Sequence, residues 1–327
     1  MIITRTPFRV SLCGGGSDIP TFFEKHGGCT LSTSINKYMY ISIHPYFDKE
    51  TTVLKYSKTE IITELSDIEH KYFNRILNDF NLRGIEITST ADIPAGTGLG
   101  SSSTFSVGLL HSIYSYLGKY VSKERLANEA CLIEIEKLKQ PIGKQDQYAA
   151  AYGGLNFYTF NKNGSVFVDP IIMKSENYKK LNDNLMMFYT GDIRSASNIL
   201  QEQRINIAQG EQEKNQLKIC ELTYQLKEHL ENNDIDSVGY ILHENWMLKR
   251  SLASGISNPL IDKLYEEALK AGAIGGKLLG AGGGGFMLFY VPKNKHENVR
   301  KALNQLREMP FTFDWQGSKV IYVGDMF

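Results

Sequence analysis

The chain has 327 residues, and 36 Lys plus Arg balance 36 Asp plus Glu, so its formal net charge is zero. It therefore lacks the broad cationic field of a nucleic-acid or anionic-membrane binder. With 42% hydrophobic and 22% charged residues it has an ordinary globular composition, long enough for two domains at about 100–200 residues each.

No apolar run approaches the roughly 18 residues that span a bilayer, and MIITRTPFRVSL lacks the apolar core of a signal peptide. Cys13, Cys29, Cys131 and Cys220 form no CxxC pair, so reduced thiols in a cytoplasmic protein are expected.

In chain order, residues 2–12 read as a strand ending at the triplet Gly14–Gly16. Residues 29–47 and 51–64 are strand-like runs rich in Thr, Ile, Val and Tyr. Residues 67–82 have helical spacing through Ile68, Tyr72, Ile76 and Phe80. Residues 84–90 form a strand, and a glycine-serine segment at 95–103 leads into a helix. A second helix starts after Ser122 as N-cap and must end near Pro141. Strands follow at 153–160 and 165–172.

Residues 173–184 are polar and mark the candidate boundary between units at 1–178 and 179–327. Beyond it come a strand at 185–190 and helices at 196–231, 235–252 and 258–271. Two strands around a glycine-rich loop at 273–291, a helix near 294–307 and a last strand at 318–323 complete the chain. Sheet and helix without regular βα alternation argue for an α+β fold in two parts.

Glycine usage is uneven. Average usage predicts roughly 23; the chain has 29, of which eighteen fall in five clusters. The cluster in Pro94-Ala-Gly96-Thr-Gly98-Leu99-Gly100-Ser101-Ser102-Ser103 lies between a strand and a helix. Its glycines permit a tight turn with close backbone approach. Its serines sit where free N–H groups and the helix dipole favour an anion. This reads as a phosphate cradle, though not a Walker loop, because no Gly-Lys-Ser/Thr follows. The alternative is a flexible turn with serine caps.

Gly143-Lys144-Gln145-Asp146-Gln147 follows the helix that carries Glu134. A wheel at about 100° per residue puts Glu134 inside the arc of Leu126, Ala130, Ile133 and Leu138, with Glu129 and Glu136 outside; Leu132 and Ile135 break the pattern. A carboxylate on an apolar face needs a divalent metal or a buried ion pair. Asp146 is a candidate base or a helix cap.

Gly280-Ala-Gly282-Gly283-Gly-Gly285 matches GxGxxG in letters, but a strand follows where a dinucleotide fold needs a helix. The run is then a mobile loop or a place where a ligand presses on the backbone. In Arg5-Thr-Pro-Phe-Arg9-Val-Ser-Leu-Cys-Gly-Gly15-Gly16-Ser17-Asp18, a strand ends in a turn that presents Ser17 and Asp18. Asp18 could bind sugar hydroxyls or cap the turn. Arg9 could meet phosphate or pair with an acid.

Together PFRVSLCGGGSD, PAGTGLGSSS, GKQDQ and KLLGAGGGGF resemble, in order and spacing, the motifs of the GHMP kinases over residues 4 to about 291. The resemblance implies an N-terminal domain like ribosomal protein S5 domain 2, a ferredoxin-like C-terminal domain, and ATP with Mg2+ between them. Arg-Val-Ser with Gly-Gly-Gly-Ser-Asp, the run from Gly143 to Gly154, and Tyr-Thr-Gly before Arg194-Ser-Ala are most similar to the bacterial D-glycero-α-D-manno-heptose 7-phosphate kinases. Fucokinases are the nearest alternative, followed by galactokinase-like enzymes. A non-catalytic sugar sensor on the same fold is a further one.

The resemblance implies Asp146 as the base, Arg9 near the transferred phosphoryl, and Ser102 and Glu134 as magnesium ligands. It implies that Pro94, Gly96, Gly98, Leu99, Gly100, Ser101, Ser102 and Ser103 line the nucleotide. Gly15, Gly16, Ser17 and Asp18, with Gly282 and Gly283, are expected at the sugar. A substrate phosphate would need cations, for which Arg194 and Lys144, then Lys37, are the candidates. The expected partners are ATP and a sugar phosphate, with no nucleic acid and no membrane, in a monomer or homodimer.

Overall fold

The computed structural model describes residues 1–191, 196–207 and 210–324, without the side chains of 196–198 and 211. Among the described residues, twelve strands and eleven α-helices run in the order β1 (Ile2–Gly14), α1 (Pro20–His26), β2 (Gly28–Pro45), β3 (Thr52–Lys55), β4 (Thr59–Ile62), α2 (Lys71–Phe80), β5 (Ile85–Ala91), α3 (Ser101–Tyr116) and α4 (Lys123–Cys131). A π-helical turn (Leu132–Lys137) leads on to α5 (Gln145–Tyr152), β6 (Leu155–Phe160), β7 (Val166–Pro170), α6 (Ser175–Asn184) and β8 (Leu185–Tyr189). The remainder is α7 (Ala196–Asn206), α8 (Gly210–Glu231), α9 (Val238–Lys249), α10 (Pro259–Ala271), β9 (Gly275–Leu278), β10 (Phe286–Tyr290), α11 (His296–Ala302), β11 (Arg307–Glu308) and β12 (Lys319–Val323).

The strands form an eight-stranded sheet, β12-β1-β2-β5-β3-β4 with β6 and β7 attached to β2, and a four-stranded antiparallel sheet, β11-β8-β10-β9. Within the second sheet the order is 4-1-3-2 by chain position, with helices between its first and second and its third and fourth strands. That is the ferredoxin-like arrangement. Both expected parts of the α+β fold are therefore present.

Local chemistry sets several boundaries. Ser122 caps α4 by accepting from the Arg125 N–H, and Asn258 caps α10 ahead of Pro259 by accepting from Ile261. α2 stops at Asn81, which takes the left-handed conformation at φ 46°.

The polar segment at the candidate boundary contains a helix, Ser175–Asn184, that buries Leu181 and Asn184. One expectation is corrected. The last strand does not stay with the second unit. Antiparallel pairing joins β12 to Ile2–Arg5 of β1, whose backbone donors and acceptors on that side would otherwise be unpaired. Among the described residues no helix is long and apolar enough to cross a membrane, and the four cysteines are free thiols.

Candidate active site

The three glycine-rich segments converge beside the start of α5. Gly96, Gly98 and Gly100 all take positive φ, at 79°, 87° and 80°. Gly100 is the N-cap of α3, and its carbonyl accepts the first helical N–H, that of Thr104. The N–H groups of Ser101, Ser102 and Ser103 thus sit at the helix start without a place in the helical ladder, as an anion site requires.

The second glycine run is packed onto this turn. A Cβ at Gly98 would lie 2.6 Å from the Leu279 carbonyl oxygen, one at Gly280 2.5 Å from Gly98 Cα, and one at Gly285 2.4 Å from the Thr97 carbonyl oxygen. The neighbour that presses on the backbone of this run is another segment of this chain, where the sequence suggested a ligand. Gly282 packs against Ile256, and the Gly283 N–H donates to the Ile256 carbonyl, so neither is among the cleft-lining residues.

Arg9 projects from β1 into the same place. Its Nε and Nη2 donate to Asp146 Oδ1 and Oδ2, each at 2.7 Å, and its Nη1 donates to the Gly98 carbonyl at 2.7 Å. One guanidinium fixes both the phosphate turn and the carboxylate, and Asp146 keeps 28% of its side chain exposed. Asp146 lies in the first turn of α5, after the N-cap position at Lys144.

Glu134 lies in the π-helical turn and is wholly buried. π-turns occur preferentially at functional sites. Ser106 donates to its Oε1 at 2.9 Å, and Ser103 (2.7 Å) and Gln147 donate to Oε2. Burial outweighs these three donors and lifts its carboxyl to about 7. Ser103 is therefore committed to Glu134, while Ser102 is exposed at the start of α3.

A divalent cation would reverse the charge penalty on Glu134. Among the described residues no group of three or more His, Cys, Asp or Glu could hold a metal. The donor set at hand, Ser102 and Glu134, suits magnesium, which takes one or two protein ligands and completes its shell with phosphates and water.

Asp18 is a turn cap as well as a wall of the cleft. Its Oδ1 accepts from the Gly16 N–H at 2.9 Å and its Oδ2 from the Gln145 N–H at 3.1 Å, and burial raises its pKa. Ser17 is buried and bonded both ways to Cys29: its Oγ donates to the carbonyl at 2.8 Å and accepts from the N–H at 3.1 Å. The cleft is lined by Arg9, Gly15, Gly16, Asp18, Asp146 and Gly280, among others.

Lys144 is not brought into this cleft. Its Nζ donates to the Gly164 carbonyl at 2.6 Å, and it faces a neighbouring cavity of about 860 Å3 that also holds Lys139, Lys162 and Arg204. Lys37 lies half-buried on β2, away from the cleft lining. Arg194 falls outside the described residues. Sequence reasoning missed Lys249, Gln203, Gln145 and Ser11, all of which line the cleft. Lys249 follows apolar Met247-Leu248 at a helix end, where a lysine ordinarily reads as a solvated partner of the helix dipole.

A helix start with free N–H groups, a carboxylate held by an arginine and a buried glutamate beside them are the parts that phosphoryl transfer to a small molecule requires, and comparisons with known proteins point to the same class. Residues 64–154 match the GHMP kinases N terminal domain and residues 226–309 the GHMP kinases C terminal domain. The chain is 31% identical to a D-glycero-alpha-D-manno-heptose 7-phosphate kinase of Campylobacter jejuni, covering 97% of this chain and 98% of that one. It is 25% identical to a galactokinase of Pyrococcus furiosus, over 96% and 95% of the two chains. A solved D-glycero-D-manno-heptose 1-phosphate kinase from Bacteriodes thetaiotaomicron superposes with a TM-score of 0.81 at 28% identity, over 99% of this chain and 100% of that one. The chain belongs to the GHMP kinases and is a phosphotransferase with an alcohol group as acceptor.

Proposed function

We propose that the protein transfers the γ-phosphoryl of ATP to the anomeric hydroxyl of D-glycero-α-D-manno-heptose 7-phosphate, giving the 1,7-bisphosphate. The observation that carries this reading is the Arg9–Asp146 fork, bonded in turn to the Gly98 carbonyl of the phosphate turn. A carboxylate held in this way beside a helix start supports a proton acceptor next to an anion site, which a sugar sensor would not need. Full-length similarity to a heptose 7-phosphate kinase supports the acceptor.

In this reading residues 94–103 hold the nucleotide phosphates through backbone N–H groups. Asp146 accepts the acceptor's hydroxyl proton while Arg9 keeps its carboxylate oriented. Asp18, fixed by Gly16 and Gln145, meets sugar hydroxyls. Ser102 and Glu134 would hold magnesium, which when bound neutralises phosphate charge. Positioning and charge neutralisation are the main tasks of such a site. The nucleotide unit extends to about residue 178, and the second unit follows, with β12 returned to the first.

A coupled ADP-release assay over heptose 7-phosphate, unphosphorylated heptose, L-fucose and D-galactose tests the reading. Turnover should be highest with heptose 7-phosphate. Preference for fucose or galactose would reassign the acceptor, and ATP binding without turnover would favour a sensor.

A further inference from the structure

Lys249 ends α9 inside the cleft and is only 6% exposed. Its Nζ donates to the Gly280 carbonyl at 2.6 Å and, more weakly, to the Leu278 carbonyl at 3.5 Å. An ammonium has three donors and no acceptor, so one proton is left over. No described carboxylate is in ion-pair contact with it. Arg9, the other cation of the cleft wall, is already matched by Asp146. A third buried cation, Lys277, lies behind the wall with its Nζ on the Leu12 carbonyl at 3.3 Å. Arg9 and Lys249 thus share the cleft wall with Asp146 and Asp18, but only Arg9 and Asp146 are in ion-pair contact, which leaves Lys249 without a counter-ion at contact distance.

The placement is specific. Arg9 bonds the carbonyl of Gly98 and Lys249 that of Gly280, and these two glycines are in backbone contact. Two cations thus reach the same doubled turn, one on each of its strands. Asp18 and Asp146 are close enough to act on Lys249 electrostatically, though burial, Lys277 and Arg9 dominate and depress its pKa. A buried amine so placed gains most from an anion that arrives with the ligands.

We propose that Lys249 is a catalytic cation that contacts a non-bridging oxygen of the phosphoryl group as it passes to the acceptor, a role that rests on the kinase reading above. In that step the bond from acceptor oxygen to phosphorus forms. The bond from phosphorus to the nucleotide's bridging oxygen breaks, and its electron pair leaves on the diphosphate. The hydroxyl proton passes to Asp146. Lys249 exchanges no proton; it supplies charge where negative charge concentrates.

The competing role is an anchor for the Gly280 turn. Lys249→Gln separates the two, because an amide can still donate to the Gly280 carbonyl but carries no charge; Lys249→Arg keeps the charge. The probe is the complex of enzyme, ADP, magnesium and fluoroaluminate, titrated by calorimetry. It forms with water in the acceptor position and so does not depend on the acceptor's identity; wild-type turnover over the acceptor panel reports separately on the kinase reading.

Lys249→Gln should lose about 100-fold in affinity for the fluoroaluminate complex and in kcat, with ATP affinity changed less than about 3-fold, while Lys249→Arg retains most of both. Undiminished binding of fluoroaluminate by Lys249→Gln, or equal loss of ATP and fluoroaluminate binding, overturns the proposal in favour of the anchor. A crystal structure of the wild-type complex needs no variant: Nζ should stand about 3 Å from a fluoride, and a separation beyond about 5 Å also overturns it.

Discussion

Arg9 and Asp146 lie 137 residues apart in the chain and meet as a two-pronged ion pair, with both N···O distances at 2.7 Å. Only a guanidinium offers two parallel donors and a third for the Gly98 carbonyl. Arg9→Lys should therefore lose orientation of the carboxylate while keeping charge, and kcat should fall about 100-fold. Asp146→Asn should lower kcat by at least about 1000-fold and leave ATP binding within about 3-fold of wild type. Steady-state kinetics with nucleotide titration checks both. Full activity in Asp146→Asn would remove the base assignment.

The Gly143 backbone lies against the Asp18 carboxylate, so closely that a Cβ at Gly143 would stand 2.0 Å from Asp18 Oδ2. Gly143→Ala must displace the carboxylate from its bonds to Gly16 and Gln145. The expected result is a rise in acceptor KM of about 10-fold or more, the loss of one charge-assisted contact, with a much smaller change in the KM for ATP. Equal effects on both substrates would mean that Asp18 acts only through the fold.

Gly98 and Gly118 both take positive φ, at 87° and 66°, but only Gly98 has a neighbour in the way. Gly118→Ala should cost about 1 kcal/mol of backbone strain. Gly98→Ala adds a collision with the Leu279 carbonyl, which has nowhere to move. It should cost more than about 2 kcal/mol and weaken ATP binding as the two turns separate. Chemical denaturation of the two variants side by side gives the difference. Similar losses at both sites would show that the contact between the turns is soft.

The parts of this site that sequence made legible are those where chemistry and chain order coincide. The turn 94–103 shows its glycines and its helix start together, so the cradle can be read locally. Glu134 was readable from its place among apolar neighbours. The two apolar residues that broke the pattern stay out of the core, as the wheel placed them: Leu132 is exposed and Ile135 half-buried, and both line the cavity that holds Lys144. Gly28, which had no role in the sequence, is required because a Cβ there would lie 2.0 Å from the Ser17 carbonyl oxygen. Nothing local announces that contact. Lys249 and the return of β12 were hidden for the same reason. Each is defined by what lies across the fold, Gly280 in one case and the open edge of β1 in the other.

His111 supplies a pH test of stability away from the chemistry. It lies on α3 with its Nδ1 2.9 Å from Ser318 Oγ, which also meets Thr6 Oγ1 at 2.8 Å, so it helps to tie the C-terminal segment to the first sheet. Burial lowers its pKa to about 4, against about 6.5 in the unfolded chain. The folded state thus favours neutral imidazole. Its stabilisation is complete above about pH 6.5 and is lost as pH falls toward 4, because the unfolded chain then binds the extra proton. At pH 5 the loss is about 2 kcal/mol. His70, also held below its ordinary value mainly by burial, contributes in the same direction. His111→Gln keeps a side-chain amide for Ser318 and cannot titrate, so its stability should decline less than wild type between pH 7.5 and pH 5. Parallel declines in urea melts of the two proteins would mean that His111 remains neutral in the unfolded chain or is charged in the fold.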